Sequence, residues 1–274
     1  MMRRLRTIAV LPTMFTLGNL VCGFFAIVVA SRLDRPDETM ALTELDSEAL
    51  MWAGWLIFSG MIFDALDGQI ARLSNTMSDF GAQLDSLCDL VTFGVAPAFL
   101  LVKMCPRFEY LHREAIWIIA ASYAACAALR LARFTIETGA EGENHLCFSG
   151  LPSPAAAAAI AGFAIMFHTL RDPANPLVYK VEIDNVLQTA LPFFGVLAAL
   201  LMVSRVPYPH LTNQVLRGQH SFGHVVGLVF TMMAVMIARR YSVPILCVAF
   251  ALFGPVRYVW VRVIQHREQK EPLF

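Results

Sequence analysis

The chain has 274 residues, 57% hydrophobic and 15% charged, with a formal net charge of zero and a mean hydropathy of +0.60. An ordinary soluble domain carries about 25% charged residues, so this composition excludes one, and the neutral balance argues against a nucleic-acid partner. Six cysteines without C-x-x-C spacing form neither a zinc motif nor a disulfide framework and read as small packing residues.

Taken in chain order, basic MMRRLR opens onto an uncharged run over 7–31. This run is too long for a secretory h-region and lacks an A-x-A site, so it is read as a retained helix. Acidic DRPDETMALTELDSE (34–48) follows as a solvated loop with at most a helical turn. Runs at 146–170 and 185–204 also reach the roughly 20 residues a membrane-spanning helix needs. Shorter runs at 49–63, 90–102, 115–129, 221–238 and 241–256 span a bilayer only if their helices continue into polar flanks. Backbone in lipid must satisfy its own hydrogen bonds, so the expected fold is all-α: a polytopic membrane bundle of about eight transmembrane helices in one domain over 1–274. Trp52, Trp55, Trp117 and Trp260 are expected at interfaces or between helices. His210, His220 and His224 have no regular ligand spacing.

Alternation of eight helices places the polar ends at 64–72, 81–89, Arg130 and Arg133 on one membrane face. Arg3, Arg4, Arg6, FSGLPSP (148–154) and 205–220 share it. That face holds a small majority of the 21 Lys and Arg, so the positive-inside rule turns it to the cytoplasm.

The stretch 64–89, DALDGQIARLSNTMSDFGAQLDSLCD, puts acids where hydrocarbon is expected. Asp64 and Asp67 are three apart and Asp85 and Asp89 four apart, so each pair shares a helix face. A lone Asp at a span's end is usually a solvated cap. Four at these spacings, on two antiparallel helices, would repel one another unless cations neutralise them. A hard cation suits such ligands, Mg²⁺ in particular binding through a few carboxylates plus substrate phosphates. Gly68, Ala71 and Gly81 lie one turn from the acids and leave room for a flat group or a pyrophosphate, and Arg72 could meet an anionic phosphate. Asp79 reads as a helix-start residue.

The pattern D-x2-D-G-x2-A-R-x8-G-x3-D-x3-D, complete from Asp64 to Asp89, resembles the signature of the CDP-alcohol phosphatidyltransferase family. The resemblance implies a membrane enzyme, commonly a homodimer, with six core helices, here about 7–210, followed by two additional helices at about 221–262. Five further stretches are similar to integral-membrane phosphatidylserine synthases within that family: LPTMFTLGNLVCGFFAI (11–27), FGAQLDSLCDLVTFGVAPAFLL (80–101), ALRLARF (128–134), FSGLPSPAAAA (148–158) and LMVSRVPYPH (201–210). Thr13 departs from the Asn expected there.

By that resemblance, the chain transfers a phosphatidyl group from CDP-diacylglycerol to L-serine among membrane lipids of the cytoplasmic membrane, releasing CMP. Asp64, Asp67, Asp85 and Asp89 are the implied ligands of two divalent ions, Mg²⁺ or Mn²⁺. Asp89 is the implied general base, with Asp85 the alternative. Asp64, Gly68, Ala71, Arg72 and Gly81 are the implied nucleotide contacts. Arg130, Arg133 and Arg205 are candidates for the lipid phosphate or the serine carboxylate, weighed against interfacial anchoring. The rival readings are another acceptor (glycerol 3-phosphate, inositol phosphate or choline) and, from a different class, an ion or solute transporter.

Overall fold

The computed structural model describes residues 2–33, 44–74, 79–106, 108, 112–140, 147–172, 179–209 and 242–268, with side chains in a subset of these. Among the described residues the α-helices are α1 Met2–Ser31, α2 Glu44–Ser74, α3 Asp79–Asp89, α4 Ala96–Met104, α5 Arg113–Ala140, α6 Ser153–Arg171, α7 Lys180–Val203 and α8 Ser242–Glu268. A π-helical turn, Leu90–Val95, joins α3 to α4. The one strand pairing among the described residues is a three-residue antiparallel match of β1 (Cys147–Ser149) with β2 (Pro207–Pro209).

Among the described residues, six segments are long and apolar enough to cross a membrane: Pro12–Ser31, Ser47–Ile70, Phe80–Met104, Arg113–Ile136, Ser153–Arg171 and Lys180–Val203. The chain is therefore an integral membrane protein of the helical-bundle class. The short apolar runs among the described residues do extend into their polar flanks. The second helix continues through the motif to Ser74 and begins at Glu44, so the end of the acidic segment is helical. The expected span at 221–238, the segment 34–43 and His210, His220 and His224 lie outside the described residues. The last expected span lies in α8, whose apolar part is Ile245–Arg257.

The third span is a composite because of its sequence. Pro97 has no N–H and cannot make the ordinary α-helical bond to Phe93 O, and the Ala96 N–H instead reaches Val91 O, five residues back. Tyr123 Oη donates to the Phe93 carbonyl at 3.4 Å. A π turn inserts a residue into the helical register. Here it separates the phase of the aspartate-bearing α3 from that of the apolar α4.

The core forms around α6, 78% of whose membrane window is buried. Its sequence SPAAAAAIAG keeps the helix thin, so neighbours approach closely: a Cβ on Gly54 of α2 would stand 2.8 Å from Ala161 O. Trp52, Trp55, Trp117 and Trp260 are all exposed on the outside of the bundle.

Side-chain contacts at the helix ends fix the directions. On one face, Arg130 near the end of α5 bonds Ser153 at the start of α6, and Arg133 bonds Val203 O at the end of α7. On the other, Ser47 at the start of α2 meets His168 near the end of α6, and Arg171 ending α6 pairs with Asp184 in the first turns of α7. Lys103 ending α4 bonds Leu33 O just beyond α1. The spans alternate as expected, and the aspartate-bearing ends, FSGLPSP and the arginine-bearing end of α5 share one face.

Candidate active site

The site is built where α2, α3 and α1 converge. Asp64 and Asp67, one turn apart, and Asp85 on α3 each present a carboxylate oxygen, and the three oxygens lie within 4.8 Å of one another. Asp67 is buried, 4% exposed, and Asp64 and Asp85 are half-buried. Thr16 and the Gly68 main-chain N–H face Asp67, yet Asp67 Oδ2 and Asp85 Oδ1 are buried without a hydrogen-bond partner.

Three clustered carboxylates with two orphaned oxygens are unfavourable as they stand. Burying an anion requires a compensating charge. The donor set is all oxygen, suited to a hard divalent cation, so the residues fit the implied metal. Gly68 and Gly81 flank the acids on the same helices and are only part-buried, which keeps the approach to the carboxylates open. Ala71 and Arg72 belong to α2, with side chains outside the described set, as is that of Asp79.

Asp89 lies beside the triad, within electrostatic range of Asp64, Asp85 and Asp67. It is one turn further along α3, 8% exposed, and its Oδ1 accepts a hydrogen bond from Asn19 Nδ2 of α1 at 2.9 Å. The four carboxylates are thus neighbours: Asp64, Asp67 and Asp85 present oxygens within 4.8 Å of one another, and Asp89 is held next to them by Asn19.

The three arginines do separate. Arg130 is 9% exposed, within electrostatic range of Asp89, and donates to Ser153 Oγ at 2.7 Å while its Nε has no partner. Burying a guanidinium costs free energy that interfacial snorkelling would avoid, so anchoring alone does not account for Arg130. Arg133 is half-buried and donates to Val203 O at 3.3 Å. Arg205 is exposed in the turn after α7 and forms no ion pair with the four aspartates.

FSGLPSP is the rigid turn its glycine and prolines predict, with an added function in the fold. Gly150 takes φ +89°, its N–H bonds Val206 O at 2.9 Å, and the Leu151 N–H bonds Leu201 O at 3.0 Å. A Cβ on Gly150 would stand 2.5 Å from Met202 O. The turn thus pins the start of α6, with Ser153 and so Arg130, to the end of α7.

Sequence reasoning assigned no role to Thr16, Asn19 or Thr92. The signal was nonetheless present: Thr16, Asn19 and Gly23 follow an i, i+3, i+7 stripe in an otherwise apolar span, which marks one helix face.

Comparison with known proteins gives the family. A CDP-diacylglycerol–serine O-phosphatidyltransferase of Methanocaldococcus jannaschii is 34% identical over 204 residues, 74% of this chain and 83% of that protein. Proteins of the same name from Helicobacter pylori and Bacillus subtilis are each 31% identical, over 202 and 201 residues. They cover 73% of this chain in both cases and 71% and 90% of their own lengths. Residues 9–203, a stretch that contains all four motif aspartates and Arg130, match the family described as CDP-alcohol phosphatidyltransferase, and the chain belongs to that family.

Proposed function

We propose that the protein transfers a phosphatidyl group from CDP-diacylglycerol to the hydroxyl of L-serine, giving phosphatidylserine and CMP. The observation that carries this reading is the Asp64–Asp67–Asp85 triad, with two buried oxygens lacking partners, at the end of spans where a lipid pyrophosphate meets water. The activity named for the relatives supports the choice of serine.

Asp64, Asp67 and Asp85, with Asp89 beside them, would hold two divalent ions, Mg²⁺ or Mn²⁺, at the pyrophosphate. When bound, such ions offset charge on the phosphoryl oxygens and on the departing CMP. Gly68, Ala71 and Gly81 leave space for the cytidine nucleotide, and Asp64 and Arg72 contact it. A serine hydroxyl is a weak nucleophile at neutral pH, so Asp89 takes its proton as the serine oxygen bonds to the lipid-side phosphorus. The P–O bond to CMP breaks in line, and CMP leaves with the electron pair. A positioned base contributes about 10²–10⁴-fold.

Arg130 is the best placed of the arginines to hold the lipid phosphate or the serine carboxylate through a guanidinium fork. Arg133 and Arg205 serve it from the rim. The same reading has the site facing the cytoplasm from the cytoplasmic membrane, in a homodimer whose family core covers about 7–210, with two added helices at about 221–262.

The reading is tested by CMP release from CDP-diacylglycerol and serine in detergent. Release should require a divalent cation and be lost in an Asp89→Asn variant that keeps its melting temperature. A transporter would release no CMP at all. Trapping a covalent phosphatidyl-enzyme, or finding retention at phosphorus, would sink the single displacement.

A further inference from the structure

A polar assembly beneath the carboxylates plays no part in the chemistry so far described. Asn19 is fully buried in a run, 7–31, that contains no charge. Its Nδ2 donates to Asp89 Oδ1 at 2.9 Å. An ionised carboxylate only accepts hydrogen bonds, so the amide must meet it through nitrogen. The other end of the amide, Oδ1, then faces α2 and has no hydrogen-bond partner. The main-chain oxygen of Asn19 accepts from Thr92 Oγ1 at 2.9 Å, and Thr92 lies in the π turn that begins immediately after Asp89.

Two glycines let three spans close around this unit. A Cβ on Gly23 of α1 would stand 2.4 Å from Thr92 Oγ1, and one on Gly60 of α2 would stand 2.6 Å from Thr92 Cγ2 and 2.9 Å from Asn19 Oδ1. Packing alone does not explain the arrangement. A buried, unsatisfied amide oxygen is costly, and an apolar side chain of similar volume would avoid that cost. What an apolar side chain could not do is bond Asp89.

We propose that Asn19 is a positioning residue for the transfer. Its amide fixes the Asp89 side chain by engaging Oδ1, which leaves Oδ2 to take the acceptor's proton as the new O–P bond forms and CMP departs with the electron pair of the broken P–O bond. Thr92 and the π turn hold the Asn19 backbone in register with α3, so that the base is oriented from a neighbouring helix rather than by its own rotamer preference. This role rests on the reading of Asp89 as general base.

The test uses the full-length protein in detergent with saturating Mn²⁺. It measures kcat and both KM values for the wild type, Asn19→Leu, Gly60→Ala, Asp89→Asn and the Asn19→Leu/Asp89→Asn double variant. Asn19→Leu is expected to lower kcat about 10–100-fold, the scale of losing an orienting partner, with KM for serine and for CDP-diacylglycerol within about twofold and the melting temperature kept. Gly60→Ala changes no polar group yet pushes Asn19 and Thr92 aside, and should lower kcat in the same way. In the Asp89→Asn background, followed in single turnover, Asn19→Leu should add less than about threefold, because partners that act as a unit are non-additive.

Full activity in Asp89→Asn overturns the base assignment and this role with it. An inactive Asp89→Asn beside a wild-type kcat in Asn19→Leu overturns positioning alone. So does a raised KM with kcat intact, or an equal loss from Asn19→Leu in both backgrounds. If Asn19→Leu does not fold, Gly60→Ala reads the same kcat-against-KM split, and a wild-type kcat there overturns the proposal.

Discussion

Two buried carboxylate settings stand at opposite ends of this bundle. On the face away from the site, both oxygens of Asp184 are satisfied: Oδ1 by Arg171, at 3.1 Å from Nε and 2.9 Å from Nη2, and Oδ2 by Gln188 Nε2 at 2.6 Å. On the site face, Asp67 and Asp85 each keep an oxygen that no protein group meets, although three acids crowd within 4.8 Å. The same residue type is a clasp between α6 and α7 at one end and a cluster of acids without a protein counter-charge at the other. A carboxylate that the protein itself neutralises serves the fold; in the proposed function, one left to be neutralised by a cation serves the chemistry.

The comparison breaks most visibly under metal removal. Chelation is expected to abolish CMP release, with Mg²⁺ or Mn²⁺ restoring it and monovalent salt failing to do so. The melting contribution of the Arg171–Asp184 clasp should stay as it was. Calorimetry beside a CMP assay checks both, and activity that survives exhaustive chelation would remove the distinction.

Substitution sharpens it next. Asp67→Asn or Asp85→Asn should lower kcat by about 10²–10³, the scale of losing one preorganised electrostatic partner, while thermal stability holds or rises as self-repulsion falls. Asp184→Asn should do the reverse, costing about 1–3 kcal/mol of stability with kcat of the folded fraction unchanged. Melting curves and steady-state rates on the same preparations decide it.

The arginines give smaller effects. Arg130→Ala should raise the KM for serine or CDP-diacylglycerol by roughly 10–100-fold, as for a charge-assisted hydrogen bond worth about 1.5–3 kcal/mol. Arg133→Ala should change it less, since that side chain already caps the Val203 carbonyl. Arg205→Ala, exposed on its turn, should stay within about threefold, as rim charges usually do. A larger effect at Arg205 than at Arg130 in the same titration would reverse this ordering.

Helical periodicity made the acids legible before any coordinates. Spacings of three and four put Asp64 with Asp67 and Asp85 with Asp89, and alternation of spans brought those pairs to the face that also carries Arg130 and FSGLPSP. What periodicity could not supply was depth and neighbourhood. Asp89 is held by a partner on α1, Asn19, which lies 70 residues away in sequence. The π turn arises from Pro97 acting on the residues before it, an effect that hydropathy does not register. The ranking of Arg130 above Arg133 and Arg205 depends on burial against Ser153, and that contact exists because β1 and β2 pin one turn to another across 60 residues of chain. Tertiary contacts, rather than local preference, decide these points.

The central claim is that the uncompensated acids catalyse phosphatidyl transfer to serine. It is met most directly by incubating the purified protein with radiolabelled CDP-diacylglycerol, Mn²⁺ and a panel of alcohols: L-serine, glycerol 3-phosphate, inositol phosphate and choline. The account predicts CMP and a labelled serine phospholipid with L-serine alone; conversion with glycerol 3-phosphate but not serine, or no CMP with any of the four, would contradict it.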